Sequence, residues 1–147
     1  LSVNGSKRPY PALKLSDRTV IRQGEAVGVC GFYETGSSYR FGRKEMISSL
    51  LTTGVVSAYF TIEVDGKNVG SPLVLDVTAG QGSSGSPVFV LQTGEVCGIL
   101  TQAKLRHVVG AAGDDDHETR VPLGIAEAEP VTMVKTWLRE NGPKLGS

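Results

Sequence analysis

The chain has 147 residues, with 15 Lys and Arg against 15 Asp and Glu, so its formal net charge is zero. This length suits one domain with a sizeable core, and zero net charge disfavours binders of nucleic acid or membrane surfaces, which rely on excess basic residues. No apolar run approaches the roughly 20 residues of a membrane-spanning helix. Glycine accounts for 19 residues, almost twice the usual share of about 7%, which indicates many tight turns.

Short apolar, β-branched runs follow one another from residue 1 to about residue 128. Glycine turns separate them, and one run ends in Asp65-Gly66, a dipeptide that favours a tight hairpin because it tolerates positive φ. This spacing predicts an antiparallel sandwich or barrel. The predicted strands include residues 26–32, 48–58, 59–64, 73–77, 87–91, 96–100 and 121–128.

Residues 103–120 break the strand pattern. They hold two glycines, the acidic run 114–116 and both histidines, His107 and His117. We predict a long exposed loop here. The acidic run lacks the spacing of an EF-hand, so we interpret it as solvated surface rather than a metal site, and we predict neither a metal nor a cofactor.

The C-terminal segment is the one clear helix in the sequence. Pro130 suits a first turn and Gly142 a helix end, which predicts a helix over about residues 130–141. Its apolar residues recur at i, i+3 and i+7 and predict packing on the strands. No repeat or linker divides the chain, so residues 1–147 are predicted to form one domain. Because residue 1 is Leu and no signal peptide pattern follows, we expect a processed or truncated chain.

The two cysteines, Cys30 and Cys97, lie in apolar strand-like runs. Two cysteines at this separation match neither a disulfide-dense scaffold nor a C-x-x-C metal or redox site. We therefore predict that both are small buried hydrophobic residues.

Residues 76–90 are the segment with the most chemical information. Three glycines and four hydroxyl residues lie here between two apolar runs. Such a loop can turn its backbone N–H groups inward and expose a serine at a sharp bend. Acyl transfer needs this combination of a nucleophilic hydroxyl and N–H donors beside the developing oxyanion. On spacing alone, a Gly/Ser loop without a catalytic role remains an alternative.

The string GQGSSGSPVF, followed by GEVCGI, resembles the nucleophile region of trypsin-like serine proteases of the chymotrypsin fold. The SGSPVF form is similar to the V8-like branch, whereas Asp76 and the C-terminal helix are similar to the HtrA branch. The resemblance covers about residues 9–140. It implies an all-β fold, a six-stranded antiparallel Greek-key β-barrel that forms the second barrel of such a protease, followed by a C-terminal α-helix.

This resemblance also implies roles for individual residues. Ser84 would be the nucleophile, and the backbone N–H groups of Gly82 and Ser84 would form the oxyanion hole. Three segments would form the substrate-binding walls, and one of them, residues 101–103, would pair with an extended peptide through its backbone. The wall residues are Thr78, Ala79, Gly80, Gln81, Thr101, Gln102, Ala103, Gly124, Ile125 and Ala126. Since Thr78 at the pocket base is neutral, we expect a small or medium apolar residue before the cleaved bond.

The order of residues along the chain departs from the family pattern. In trypsin-like enzymes the catalytic His and Asp precede the Ser, but both histidines here follow Ser84. The resemblance therefore implies the C-terminal, nucleophile-bearing half of a serine endopeptidase that acts on polypeptides. We expect this half to be inactive alone and to associate with the N-terminal half of the same protease or with a copy of itself.

Two other functions remain open at this point. The chain could be a non-catalytic pseudoprotease module that binds extended peptides. It could also be a self-sufficient hydrolase that pairs Ser84 with His107 or His117.

Overall fold

The computed structural model of the chain describes residues 12–33, 38–41, 43–109 and 118–142. The elements within these ranges are β1 (Ala26–Gly31), β2 (Ser38–Phe41), β3 (Lys44–Ile47), β4 (Leu50–Tyr59), β5 (Ile62–Val64), β6 (Lys67–Gly70), β7 (Leu73–Asp76), β8 (Pro87–Val90), β9 (Val96–Val109), β10 (Glu118–Pro130) and α1 (Val131–Asn141).

Six strands close into an antiparallel barrel in the order β1-β4-β7-β10-β9-β8. Two hairpins, β2-β3 and β5-β6, lie outside the barrel as separate two-stranded sheets. The helix α1 follows β10 directly and contacts β9 and β10. The predicted six-stranded antiparallel barrel with a C-terminal helix is therefore confirmed.

The barrel core is built from the alternate residues of each strand, because successive side chains of a strand point to opposite faces. In β7, Leu73 and Leu75 are buried while Asp76 is exposed. Valine is the commonest residue of the core, which suits the pleated surface of a strand. Its most deeply buried side chains include Val27, Val29, Val56, Leu75, Val88, Val90 and Leu100.

The segment before β1, which we call the N-terminal strap (residues 14–18), crosses the barrel beside β9. Leu15 forms a parallel bridge with Val96. The Lys135 ammonium of α1 donates to the Ser16 carbonyl at 2.7 Å and to the Asp17 carboxylate at 2.6 Å. This hydrogen bond and the positive charge lower the pKa of Asp17. The strap thus links the start of the described chain to the C-terminal helix.

The turn at Asp65-Gly66 joins β5 to β6 as predicted. Both residues have positive φ, 52° at Asp65 and 72° at Gly66, which is the conformation that a two-residue hairpin turn requires. Strands β2, β3 and β6 were not among the predicted strands.

The prediction of a long loop over residues 103–120 is wrong for the described residues of this range. Strand β9 continues to Val109, and β10 begins at Glu118. The two strands pair here, with Thr119 opposite Val108. The acidic run and His117 lie outside the described residues.

The assignment of residues 1–147 to one domain stays a prediction.

Candidate active site

The serine loop, residues 80–86, lies between β7 and β8. Gly82 and Gly85 adopt positive φ, 86° and 89° respectively. This left-handed backbone is accessible to glycine without a steric penalty. The glycines of the motif are therefore explained by backbone conformation, and they place the loop in a tight double turn.

One residue of β9, Leu100, fixes the position of this loop. The Gly85 N–H donates to the Leu100 carbonyl at 2.7 Å, and the Leu100 N–H donates to the Ser86 carbonyl at 2.9 Å. The buried Ser83 closes the loop from inside, since its hydroxyl donates to the Gly80 carbonyl at 2.5 Å. These bonds satisfy buried polar groups and hold the loop rigidly on the barrel.

Ser84 lies at the exposed end of the double turn. Its hydroxyl donates to the Thr101 carbonyl of β9 at 3.0 Å. Among the described residues, no hydrogen-bond acceptor faces the backbone N–H of Gly82 or of Ser84. The loop thus presents an accessible hydroxyl beside two N–H donors that can bind an anion.

The open edge of β9 begins next to Ser84. Strand β8 pairs with β9 only as far as Ile99, so residues 101–103 have no strand partner on that side in the described chain. Thr101 is an extra residue in β9, because Leu100 pairs with Ala128 and the next pair joins Gln102 to Glu127. Such a bulge re-aims backbone groups at the rim of a barrel. This edge can accept an extended peptide.

The structure brings the three predicted wall segments together on neighbouring strands. Ala103 of β9 pairs with Ala126 of β10, and Ile125 pairs with Asp76 at the end of β7. The side chains of Ala79 and Ala126 belong to the core, so they can offer only backbone to a substrate. The exposed or half-buried members are Thr78, Gly80, Gln81, Thr101, Gln102, Ala103, Gly124 and Ile125.

A surface depression of about 470 Å³ adjoins Ser84. It is lined by Gly82, Ser84 and Gly85 of the loop and by Cys30 and Phe32 at the end of β1. Phe32 is 60% exposed. The exposed lining of this depression is mostly apolar, and an exposed apolar patch marks a surface where another protein segment can bind.

Comparison with known proteins identifies the family. The profile of the family described as "Trypsin-like peptidase domain" matches residues 1–99, which is more than half of the chain. The chain belongs to the trypsin-like peptidase family. The comparison with curated proteins gives no match.

Several solved structures share the fold of this chain. An inactive Ser-to-Ala mutant of Rv3671c from M. tuberculosis H37Rv superposes with a TM-score of 0.61 at 17% identity, over 95% of this chain and 57% of that one. The HtrA-type protease AlgW, as a Ser-to-Ala mutant, gives 0.58 at 19% identity with a tripeptide and 0.55 at 20% identity with a decapeptide. This chain spans 36% and 34% of those chains, which in turn cover 91% and 90% of it.

His107 does not lie near the serine of this trypsin-like peptidase domain. It follows Thr101 by six residues in the same strand, which corresponds to about 20 Å along an extended backbone. Because the Ser84 hydroxyl bonds to the Thr101 carbonyl, the backbone of His107 lies well beyond hydrogen-bonding distance of that hydroxyl. The hypothesis that pairs Ser84 with His107 is therefore unsupported. Separately, no group of described residues has the composition of a metal site.

Strands β1, β9 and β10 carry one ion pair and two free thiols. Lys104 of β9 forms an ion pair with Glu127 of β10 at 2.8 Å. Both cysteines are free thiols; Cys97 is buried as predicted, whereas Cys30 is only half-buried. Burial raises the pKa of the Cys97 thiol to about 11.

No described helix is long and apolar enough to span a bilayer.

Two structural features near Ser84 have no local signal in the sequence. The first is Phe32, whose role depends on the barrel bringing the end of β1 beside the serine loop. The second is the position of Asp76 next to Gly124, which depends on the register between β7 and β10. Local sequence carries no signal for either, because both arise from pairing between distant strands.

Proposed function

We propose that this chain is the nucleophile-bearing half of a serine endopeptidase and cleaves peptide bonds through an acyl-enzyme on Ser84. The observation that carries the proposal is the exposed Ser84 hydroxyl, which lies on a glycine-built turn bonded to the open edge of β9. Family membership supports a protease-type function. The same turn leaves the N–H groups of Gly82 and Ser84 available for an oxyanion.

The reaction follows from these groups. The Ser84 oxygen adds to the peptide carbonyl carbon while its proton passes to a base, and the carbonyl oxygen becomes an oxyanion bound by the two N–H groups. The C–N bond then breaks, the amine leaves with the proton, and water hydrolyses the ester. Extended pairing with residues 101–103 would place the scissile carbonyl at Ser84. The AlgW structures with peptides support a polypeptide as the substrate class.

The base must come from outside the described residues. The Ser84 hydroxyl bonds to the Thr101 carbonyl, and a peptide carbonyl cannot accept its proton at neutral pH. We propose that the catalytic His and Asp belong to an N-terminal barrel that precedes this half. Without them, Ser84 keeps the low reactivity of an ordinary hydroxyl.

The end of β1 and the start of β4 provide a surface for that barrel. Phe32 is 60% exposed and Leu51 is 59% exposed. Cys30 pairs with Leu51 across the two strands, so these side chains share the outer face, and Phe32 borders the depression at Ser84. A barrel bound here would cover the apolar side chains and present its base to the serine. A second copy of the chain is the other occupant that this face could bind.

Labelling with a fluorophosphonate tests the proposal. We expect the chain joined to its N-terminal barrel to be modified at Ser84, located by mass spectrometry, and the isolated chain to react far more slowly. Ser84→Ala should abolish the modification. Ser48→Ala is the matched control, because Ser48 is also exposed and its loss should leave labelling intact. Absence of modification in the joined protein would overturn the assignment of Ser84.

A non-catalytic peptide-binding module is the second candidate, and the open edge at residues 101–103 favours it. This function needs only backbone pairing and no base. It predicts that an extended peptide binds equally to the chain and to Ser84→Ala, with no hydrolysis by the joined protein. Hydrolysis that depends on Ser84 would exclude it.

A further inference from the structure

Strand β9 continues well beyond the residues that adjoin Ser84. It ends at Val109, and its pairing with β10 extends as far as the pair Val109–Glu118. On its other side, β9 has no strand partner after Ile99 among the described residues. The open edge therefore covers residues 101–109, which corresponds to about 27 Å of extended backbone that begins at the serine loop. Unpaired N–H and C=O groups along such an edge form a template for another extended chain.

The direction of the backbone groups along this edge is set at Thr101. Its carbonyl accepts the Ser84 hydroxyl at 3.0 Å, so it points away from β10 and towards the open side. Residues of an antiparallel strand bond alternately to the neighbour on one side and to the neighbour on the other. Every second residue after Thr101 therefore turns both its N–H and its C=O to the open side. These residues are Ala103, Leu105, His107 and Val109.

Pro122 of β10 gives the same alternation independently. It pairs with Leu105, and proline has no N–H to donate to a neighbouring strand. Proline is tolerated in a strand where its nitrogen faces away from the ladder, so Leu105 and Pro122 form a pair without mutual hydrogen bonds. The backbone groups of Leu105 therefore face the open side. The extra residues of this stretch, 123–125, belong to β10 and leave the alternation of β9 unbroken.

The position of Ser84 at one end of the edge sets the direction of a bound peptide. A peptide antiparallel to β9 runs from Val109 towards Thr101. It therefore places on the edge the residues that precede its scissile bond, and it brings the scissile carbonyl to Ser84. Antiparallel pairing is also slightly more stable per residue than parallel pairing. Beyond the three positions opposite residues 101–103, the edge has room for about six more residues of the peptide.

We propose that the substrate is a long extended polypeptide segment, bound by the β9 edge over residues 101–109 rather than over residues 101–103 alone. This inference rests on the proposed function of Ser84. With the first residue before the scissile bond opposite Thr101, the fifth and seventh lie opposite Leu105 and His107 and donate their N–H groups to β9. The fourth and sixth turn their N–H groups to solvent. Proline is therefore disfavoured at the fifth and seventh positions and tolerated at the sixth.

Peptidyl phosphonates of different lengths test this inference in the protein that joins this chain to its N-terminal barrel. The probes carry a Leu side chain next to phosphorus, preceded by alternating Thr and Ser, and contain three, five, seven or nine residues. We expect the modification rate of Ser84 to rise about two- to tenfold with each added pair of residues, the range for a net gain of one backbone hydrogen bond. A rate that does not change beyond three residues would overturn this inference alone. Absence of modification by every probe would overturn the proposed function as well.

Proline within the nine-residue probe tests the pairing register without altering the protein. Counting the residue that carries phosphorus as the first, proline at the fifth or seventh position removes an N–H donor and should lower the rate about two- to tenfold. Proline at the sixth position is the matched control and should have little effect, because that N–H faces solvent. Equal losses at the fifth and sixth positions, or a loss at the sixth alone, would overturn the inference.

Two variants separate the two edges of the ribbon formed by β9 and β10. His107→Pro removes an N–H from the open side of β9 and should lower the ratio of the nine-residue rate to the three-residue rate about two- to tenfold. Arg120→Pro is the matched control, because Arg120 pairs with His107 and its N–H faces the opposite edge of the ribbon. An equal fall of the ratio in both variants would overturn the assignment. A dimer that His107→Pro dissociates, with equal rates for the long and short probes, would assign the edge to a second copy instead.

Discussion

Gly54 of β4 should be among the positions least tolerant of a side chain. A Cβ on this residue would lie 1.7 Å from the Asp76 carbonyl oxygen and 2.8 Å from Val77 Cγ1. Cβ contacts below 3.0 Å essentially do not occur, so Gly54→Ala must separate β4 from β7 by about 1.3 Å. The neighbouring pair of these strands joins Val56 to Leu75, both fully buried, so the displacement reaches the core.

The expected cost follows from the two interactions that this displacement disturbs. Overpacking of a core costs about 1–3 kcal/mol and a lost backbone hydrogen bond about 1 kcal/mol, so we expect Gly54→Ala to lower the free energy of unfolding by about 3 kcal/mol. For a chain of this length, such a loss lowers Tm by about 10 °C. Thermal and urea unfolding followed by circular dichroism would measure both quantities.

Gly80→Ala is the matched control for this prediction. Among the described residues, a Cβ on Gly80 would meet only Tyr33 Cδ1, at 3.8 Å, which is an ordinary contact. We expect its stability to stay within about 1 kcal/mol of the unaltered chain, because alanine also restricts the unfolded state. Equal unfolding temperatures for Gly54→Ala and the unaltered chain, or an equal loss in Gly80→Ala, would refute the steric argument.

Three further predictions concern the thiols, the acidic groups and the exposed apolar face. Burial raises the pKa of Cys97 from 9.0 to about 11, so iodoacetamide at about pH 8 should modify Cys30 well before Cys97; peptide mass spectrometry measures this, and equal alkylation of the two cysteines would contradict it. For the same reason, the free energy of unfolding should decline from pH 9.0 towards about pH 11, because the thiol ionises more readily in the unfolded chain. Urea midpoints measured across this pH range test the decline. Hydrogen-bonded basic partners lower the pKa values of Glu25 and Glu95 below 4.5. Their contribution to stability is therefore present above pH 4.5 and is lost as the pH falls through the lower folded values. The urea midpoint should fall as the pH is lowered below 4.5, and it should fall less in high salt; a midpoint that rises would contradict this. Phe32→Ser should reduce self-association measured by light scattering and change the free energy of unfolding by less than about 0.5 kcal/mol. Unchanged self-association would exclude the exposed apolar face around Phe32 as the contact between copies.

The sequence predicts the barrel well because each of its strands has a buried face. The alternation of Leu73 and Leu75 with exposed neighbours, and the glycine turns between runs, are local and periodic. The helix is predicted within one residue, at Val131–Asn141, because proline and glycine mark its ends. The hairpin at Asp65-Gly66 is predicted for a similar reason, since its turn needs residues that adopt positive φ.

The ribbon formed by the outer parts of β9 and β10 was missed because its signal is not local. Polar and charged residues such as Arg106 and Arg120 dilute the strand pattern, and only pairing between the two strands, as in Thr119 opposite Val108, makes them extended. The serine loop itself was predictable from its glycines. The proximity of Asp76 to Gly124 was not, since a shift of one residue between β7 and β10 would move that carboxylate to the other face.

The attachment of the serine loop to Leu100 has a consequence for control. The backbone of Leu100 holds the loop on both sides, and the open edge of β9 begins at the next residue of the same strand. Ser84 and this edge therefore share one attachment, whatever lies against Phe32. Under the proposed function, only the base has to be aligned across an interface. A partner that loosens this interface would slow bond cleavage while leaving peptide affinity unchanged, so catalysis and recognition could be regulated separately.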